Sequence, residues 1–194
     1  MLAKLIRFFS RPPLDGPKAT LLLRLMVGSV FFWEGLLKFV YVNQGVGRFT
    51  KLGMPIPEML APAIAYLEIG GGLLLIFGLA TRWIALPFII EMVVAMLSTK
   101  VSLYFGTSPL ALPPAPPKVG AWAVLHEIRS DWAQIMTSAY LLWAGPGPWS
   151  LDAIIRRKAN RTATDQPAAT AATAAPSDVA LARSREAPSN RMGG

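Results

Sequence analysis

Four long apolar segments follow one another along the chain, separated by stretches rich in polar residues, glycine and proline. They cover residues 19–40, 59–80, 83–104 and 131–144. The first three have the length of about 20 residues that a helix needs to cross roughly 30 Å of hydrocarbon. The fourth is shorter, with 14 residues. The pattern predicts an all-α protein built as a four-helix transmembrane bundle.

A soluble bundle with buried helices is the alternative to this interpretation. Residues 59–80 are apolar on every face, except at Tyr66 and Glu68, so that a helix over this range leaves no side for water. Tryptophans stand at segment ends, where the ring favours the lipid headgroup region. They are Trp83, Trp132, Trp143 and Trp149. These features favour the membrane.

Amphipathic or polar segments flank the membrane domain of residues 19–158 on both sides. Residues 1–18 combine an apolar face with basic side chains, which is typical of a helix lying on a membrane surface. A similar short segment follows the fourth apolar stretch, and Ser150 can cap its start. From residue 159 to 194 the chain is rich in alanine, threonine and proline, and we expect a disordered tail.

Composition and charge support a membrane partner and argue against nucleic acid. Hydrophobic residues make up 53% of the chain and charged residues only 15%, with a formal net charge of +8. The basic residues flank the apolar segments, nine on one side and four to six on the other. Because basic residues are enriched on the cytoplasmic side, this bias predicts that both termini are cytoplasmic.

The absence of cysteine and the single histidine limit the redox chemistry of the chain. Thiolate nucleophiles, cysteine-ligated metals and iron–sulfur clusters all require cysteine, and bis-histidine haem requires two histidines. We therefore expect no metal site and no intrinsic cofactor, and catalysis by this chain alone is not expected.

Ionisable residues inside the apolar segments form the candidate site. Each predicted helix carries one stripe of polar and small residues, and these stripes are expected to face one another, because charges facing lipid are costly. The polar members are Arg24, Glu34, Lys38, Glu68, Glu91 and Gln134. The small members, expected to pack helix against helix, are Gly28, Gly35, Gly71 and Gly72.

Two interpretations of this polar cluster remain open. Its members could be structural pairs that stabilise the bundle, or they could line a pocket for a quinone headgroup or small solute, or a proton path. Glu34 and Lys38 have the spacing for a local ion pair. Arg24 is expected to pair with Glu91 or Glu68 from another helix, because Glu34 is about 15 Å away along its own helix.

Three blocks in order resemble the DoxX family of bacterial membrane proteins. The first is RLMVGSVFFWEGLLKF, the second runs from Gly53 through Glu68, Gly71 and Gly72 to Thr81-Arg82, and the third is GPGPWSLD. The resemblance covers roughly residues 18–158. It implies a four-helix protein of the bacterial inner membrane, related to proteins of quinol oxidase and thiosulfate:quinone oxidoreductase systems.

The resemblance leaves three functions to distinguish. The first is an accessory subunit of a membrane oxidoreductase complex, whose polar stripe could hold a quinone. The second is a small-solute carrier or channel, and the third is a scaffold that recruits a soluble redox or stress enzyme to the membrane. The expected partners are accordingly the lipid bilayer and other redox proteins.

Overall fold

The structure, a computed structural model, describes the backbone of residues 1–174 and the side chains of residues 1–162. Within this range all regular secondary structure is helical. The helices are α1 (Leu2–Ser10), α2 (Thr20–Val40), α3 (Val46–Lys51), α4 (Pro57–Phe77), α5 (Thr81–Ala95), α6 (Ala121–Glu127), α7 (Arg129–Ala144) and α8 (Leu151–Ala174). The all-α prediction is therefore confirmed.

Three of the predicted segments have the length and composition of membrane spans. They are Thr20–Val40, Pro57–Phe77 and Thr81–Tyr104. The last consists of α5, a π-helical turn at Met96–Lys100 and a 3-10 turn at Val101–Tyr104. The fourth predicted segment corresponds to α7, whose 16 residues extend for about 24 Å.

The core lies between α2, α4, α5 and α7, and all four helices contribute to it. Its fully buried side chains are Val27, Phe31, Leu75, Ala85, Phe88 and Leu141. At its centre the rings of Phe31 and Phe88 stack with their centroids 3.7 Å apart. Helix α2 packs mainly against α4, and α5 packs mainly against α7.

Two arginines show which helix ends lie together. The Arg24 guanidinium, near the start of α2, donates to the carbonyl of Pro146, just after α7, at 2.9 Å. Arg82, near the start of α5, donates to the carbonyl of Trp143 at 2.6 Å. The start of α2, the start of α5 and the end of α7 therefore share one end of the helix group, which we name the Arg24 end.

The opposite end, which we name the Lys100 end, is marked by an ion pair between α6 and the π-helical turn. Lys100 Nζ lies 3.7 Å from Glu127 Oε2. Because α5 runs from the Arg24 end to the Lys100 end and α7 returns, these two helices are antiparallel.

The residues Met1–Ala153 form one compact unit, and the rest of α8 belongs to a second unit. The expected cap at Ser150 is present, since the N–H of Ala153 donates to Ser150 Oγ at 3.2 Å. Helix α8 continues to Ala174, past residue 159, where the sequence predicted the start of a disordered tail. Alanine has the highest helix propensity, which favours this continuation. Residues 175–194 of the predicted tail lie outside the described residues.

Candidate intramembrane polar site

An ion pair between α2 and α4 is the centre of the site. Lys38 Nζ lies 2.6 Å from Oε1 and 2.5 Å from Oε2 of Glu68, whose residue is 1% exposed. Lys38 therefore pairs across helices, and the expected local pair with Glu34 is not the one that forms. Glu34 instead lies exposed on the surface of α2.

Close packing of α2 on α4 makes this pair geometrically accessible. A Cβ atom at Gly35 would lie 2.8 Å from the carbonyl oxygen of Ala65 and 2.9 Å from Cβ of Glu68. About two helix turns further from Lys38, a Cβ at Gly28 would lie 2.7 Å from the carbonyl oxygen of Gly72. These approaches require glycine, because any side chain would overlap the neighbouring backbone.

Glu91 of α5 is the second carboxyl group of the site. It is half-buried, and its Oε2 has no hydrogen-bond partner in the described residues. It lies close enough to Glu68 and Lys38 for their charges to act on it.

Helix α7 presents a polar stripe made by Asp131, Gln134 and Ser138. The spacing of three and four residues places them on one face. Each contributes a buried oxygen without a hydrogen-bond partner, as does Glu91 through its Oε2.

Gln134 lies nine residues before Trp143, and Glu91 lies nine residues after Arg82. Since Arg82 bonds Trp143 and the helices are antiparallel, Glu91 and Gln134 lie at about the same level.

Gly71 lies on the α5 side of α4, three residues from Glu68. A Cβ there would lie 2.7 Å from Cζ of Phe88, so the α4–α5 contact also depends on a small residue. The four glycines of the sequence-based candidate set are thus all at interhelical contacts.

Arg24 belongs to a different part of the molecule, and the prediction that it pairs with Glu91 or Glu68 is wrong. The residue is 2% exposed, and its guanidinium donates to the carbonyls of Pro146 at 2.9 Å and Ile76 at 3.2 Å. The carbonyl of Ile76 is in the last turn of α4 and has no intrahelical partner. Arg24 lies about 21 Å from Lys38 along α2, so its guanidinium cannot reach Glu68 or Glu91.

Arg82 has a similar role that the sequence analysis did not predict. It is buried and donates to the carbonyls of Phe8 at 2.7 Å and Trp143 at 2.6 Å, both in the last turns of their helices. Its guanidinium also lies 4.0 Å from the ring centroid of Phe8. The sequence feature that could have predicted this role is the position of Arg82 directly after the α4–α5 turn, in the Thr-Arg pair of the DoxX-like block.

Asp152, at the start of α8, connects to the turn between α4 and α5. The N–H of Ala80, which has a positive φ of 51°, donates to Asp152 Oδ1 at 3.3 Å. Burial raises the pKa of Asp152, although backbone hydrogen bonds and the Arg24 charge act in the opposite direction.

The apolar spans and the charged cluster between them define the class of this protein as a helical membrane protein with an intramembrane polar site. The chain belongs to the DoxX family, whose sequence profile matches residues 19–101. Over 146 residues it is 37% identical to "Uncharacterized membrane protein Rv3486" of Mycobacterium tuberculosis (strain ATCC 25618 / H37Rv), covering 75% of this chain and 86% of the relative.

A second relative is the protein named "Putative oxidoreductase CatD" of Bacillus subtilis (strain 168). It is 37% identical over 86 residues, which cover 44% of this chain and 63% of that protein. No solved structure matches the chain.

Proposed function

We propose that the protein is an accessory, quinone-interacting subunit of a membrane oxidoreductase complex in the bacterial cytoplasmic membrane. The observation that carries the proposal is the buried Lys38–Glu68 ion pair between α2 and α4, with Glu91 of α5 nearby and buried oxygens without partners beside it. A buried charge pair with a third ionisable group inside a membrane span is costly, and such groups typically mark substrate or proton sites.

The polar atoms at this level suit the chemistry of a quinone headgroup. A quinone carbonyl accepts hydrogen bonds, and the Lys38 ammonium and the Ser138 hydroxyl are donors. The hydroxyl groups of the reduced form are donors, and the carboxyl groups of Glu68 and Glu91 accept. When bound, a quinone would supply two-electron, two-proton redox chemistry that the side chains of this chain do not provide.

Two observations support the accessory role: the scarcity of residues that could carry electrons, and the name of a relative. The sequence contains no cysteine and one histidine, so that electrons would come from a partner protein. The name of the Bacillus subtilis relative contains the word oxidoreductase, and we extend that class to this chain as part of the proposal.

Photolabelling with an azido-benzoquinone tests the quinone site directly. The purified protein in lipid nanodiscs is illuminated with the probe, and the labelled peptides are identified by mass spectrometry. We expect label on α4, α5 or α7 near Glu68, Glu91 and Ser138, competed by an unreactive benzoquinone. In Glu91→Gln the labelling should fall, whereas Glu58→Gln, at the exposed start of α4, should leave it unchanged.

The same preparation distinguishes the other two functions. Labelling that is absent, or that is equal in the Glu91→Gln and wild-type proteins, would overturn the quinone site. Solute flux in proteoliposomes that depends on Glu68 or Glu91 would favour a carrier. Co-purification of a soluble enzyme without any quinone labelling would favour a scaffold.

A further inference from the structure

Helix α1 has an apolar face that the rest of the described structure leaves largely uncovered. At about 100° per residue, Leu2, Leu5, Ile6 and Phe9 fall within about 100° of one another around the helix. No residue of α1 is buried, and Leu2, Leu5 and Ile6 are 48% to 70% exposed. An amphipathic helix needs an apolar partner for this face, and the described residues do not supply one.

The last turn of α1 is attached to the start of α5. The Arg82 guanidinium donates to the carbonyl of Phe8 at 2.7 Å and lies 4.0 Å from the centroid of the Phe8 ring. Beside this contact, the ring centroids of Phe9 and Trp83 are 4.8 Å apart. Helix α1 is therefore held at the first residues of the candidate span Thr81–Tyr104.

Exposed tryptophans mark this level as a membrane–water interface. Trp83 is 49% exposed, and Trp143, whose carbonyl also accepts from Arg82, is 82% exposed. Tryptophan is enriched where the acyl chains meet the headgroups, and a span begins at the same depth. An amphipathic helix held at this depth has the acyl chains within reach of its apolar face.

The other side of α1 is basic. Lys4 and Arg7 lie opposite the apolar face by their spacing, and Arg11 follows directly after the helix. All three are exposed, and within the described chain none of them forms an ion pair. Asp15 is the only acidic residue among residues 1–18. Each lysine or arginine beside an anionic membrane surface strengthens the attachment about fivefold, so this charge favours anionic lipid.

We propose that α1 is a membrane-surface anchor that binds anionic phospholipid. Its apolar face lies between the headgroups and the acyl chains, and Lys4, Arg7 and Arg11 contact the headgroup phosphates. Arg82 and Trp83 hold the last turn of the helix at that depth. The anchor goes beyond the proposed quinone site and shares no residue with it, so that either proposal can fail without the other.

Quenching by spin-labelled lipids tests the anchor on the full chain in nanodiscs. The sequence contains no cysteine, so a single introduced cysteine carries the fluorophore bimane at one position. Leu5→Cys places bimane on the apolar face, and Ala3→Cys places it about 160° away around the helix. We expect doxyl-labelled lipid to quench bimane at position 5 and to quench it much less at position 3. At position 5, labelled phosphatidylglycerol should quench more strongly than labelled phosphatidylcholine at equal content.

Charge variants of the Leu5→Cys protein test the selection of anionic lipid. Arg7→Gln should lower the preference for phosphatidylglycerol about fivefold, whereas Lys51→Gln, which removes an exposed cation of α3, should leave it unchanged. Both side chains are exposed, and size-exclusion chromatography checks that the variants fold.

Three results would overturn the anchor. The first is the absence of lipid quenching at position 5, which would mean that water or protein covers the apolar face. Self-quenching that depends on the labelled fraction would identify a second copy of this chain as the cover. The second is equal quenching by the two lipids, and the third is an unchanged preference in Arg7→Gln, since either would show that the basic residues do not select anionic lipid.

Discussion

Lys38 and Glu68 hold opposite charges at a depth where neither charge is stable alone. Glu68 is almost completely buried, and the Lys38 side chain is 12% exposed. Removing one partner of a buried pair leaves an uncompensated charge, whereas replacing both removes the cost and the interaction together. Replacing both residues is therefore expected to destabilise the protein less than replacing one of them.

Lys38→Met is expected to lower the free energy of unfolding by about 3–5 kcal/mol, because Glu68 then remains charged and unpaired. The double variant Lys38→Met/Glu68→Gln should be more stable than Lys38→Met alone. Thermal unfolding in detergent, followed by size-exclusion chromatography, measures both. Lys51→Met, at the exposed end of α3, is the control and should resemble the wild type. Purely additive effects in the double variant would contradict the pair.

Asp152 gives the protein a pH dependence of predictable sign. Because its pKa is raised in the folded state, the folded protein binds this proton more tightly than the unfolded chain does. Stability contributed by the group is complete below the ordinary carboxyl pKa of about 4 and is lost as the pH rises through the raised pKa. Asp152→Asn keeps a side-chain oxygen that can accept the hydrogen bond from the Ala80 N–H, and it should remove this loss of stability at higher pH. The slope of unfolding free energy against pH measures it, with exposed Asp15→Asn as control. The same slope in Asp152→Asn would refute the assignment.

Among the elements, α2 and α4 depend most on the absence of side chains at their contact. The backbones approach so closely that a Cβ at Gly72 would lie 2.6 Å from the carbonyl oxygen of Gly28. Two residues earlier on the same helix, a Cβ at Gly70 would meet nothing within 4 Å. The run of three glycines thus combines one contact position with α2, one with α5 at Gly71, and one exposed position.

Gly72→Ala is expected to destabilise the protein by about 1–3 kcal/mol, since the helices must move apart to accept the methyl group. Gly70→Ala is the matched control, and it should be neutral or slightly stabilising because alanine is the better helix former. The melting temperatures of both variants in one detergent provide the measurement. Equal effects of the two substitutions would mean that α2 and α4 do not pack through Gly72.

At the scale of the whole molecule, the two arginines place the segment before α2 and the segment after α7 at one end. Arg82 binds the last turn of α1, and Arg24 binds Pro146 beyond α7. With α7 as a fourth, returning span, both flanks are expected on the same side of the membrane. Helix α7 is short for a span, and Trp132 and Trp143 near its ends are exposed, as expected for side chains at the two interfaces.

We predict that this shared side is the cytoplasm, as the distribution of basic residues indicates. Reporter fusions at residue 160 and near Pro114 measure the two sides: the first should give a cytoplasmic signal and the second a periplasmic one. A periplasmic signal at residue 160 would show that α7 does not cross the membrane or that the orientation is reversed.

Three sequence blocks were sufficient for the resemblance to the family, whereas hydrophobic pattern and composition were sufficient for the all-helical class and the three long spans. These properties depend on the transfer of whole segments from water to lipid, which each segment undergoes separately. The same pattern also identified the polar stripes, because their members share a helix face by spacing alone. It did not determine which charges meet.

Only the tertiary structure decided the partners, because they depend on the depth and register at which different helices pack. Lys38 pairs with Glu68 because Gly35 lets α4 approach, and not with Glu34, its neighbour in sequence. Arg24 binds carbonyl groups at helix ends, which are present in every helical protein and leave no mark in the residue pattern. A charge inside a membrane must find a partner, but the packing of the backbones determines whether that partner is a side chain or a carbonyl oxygen.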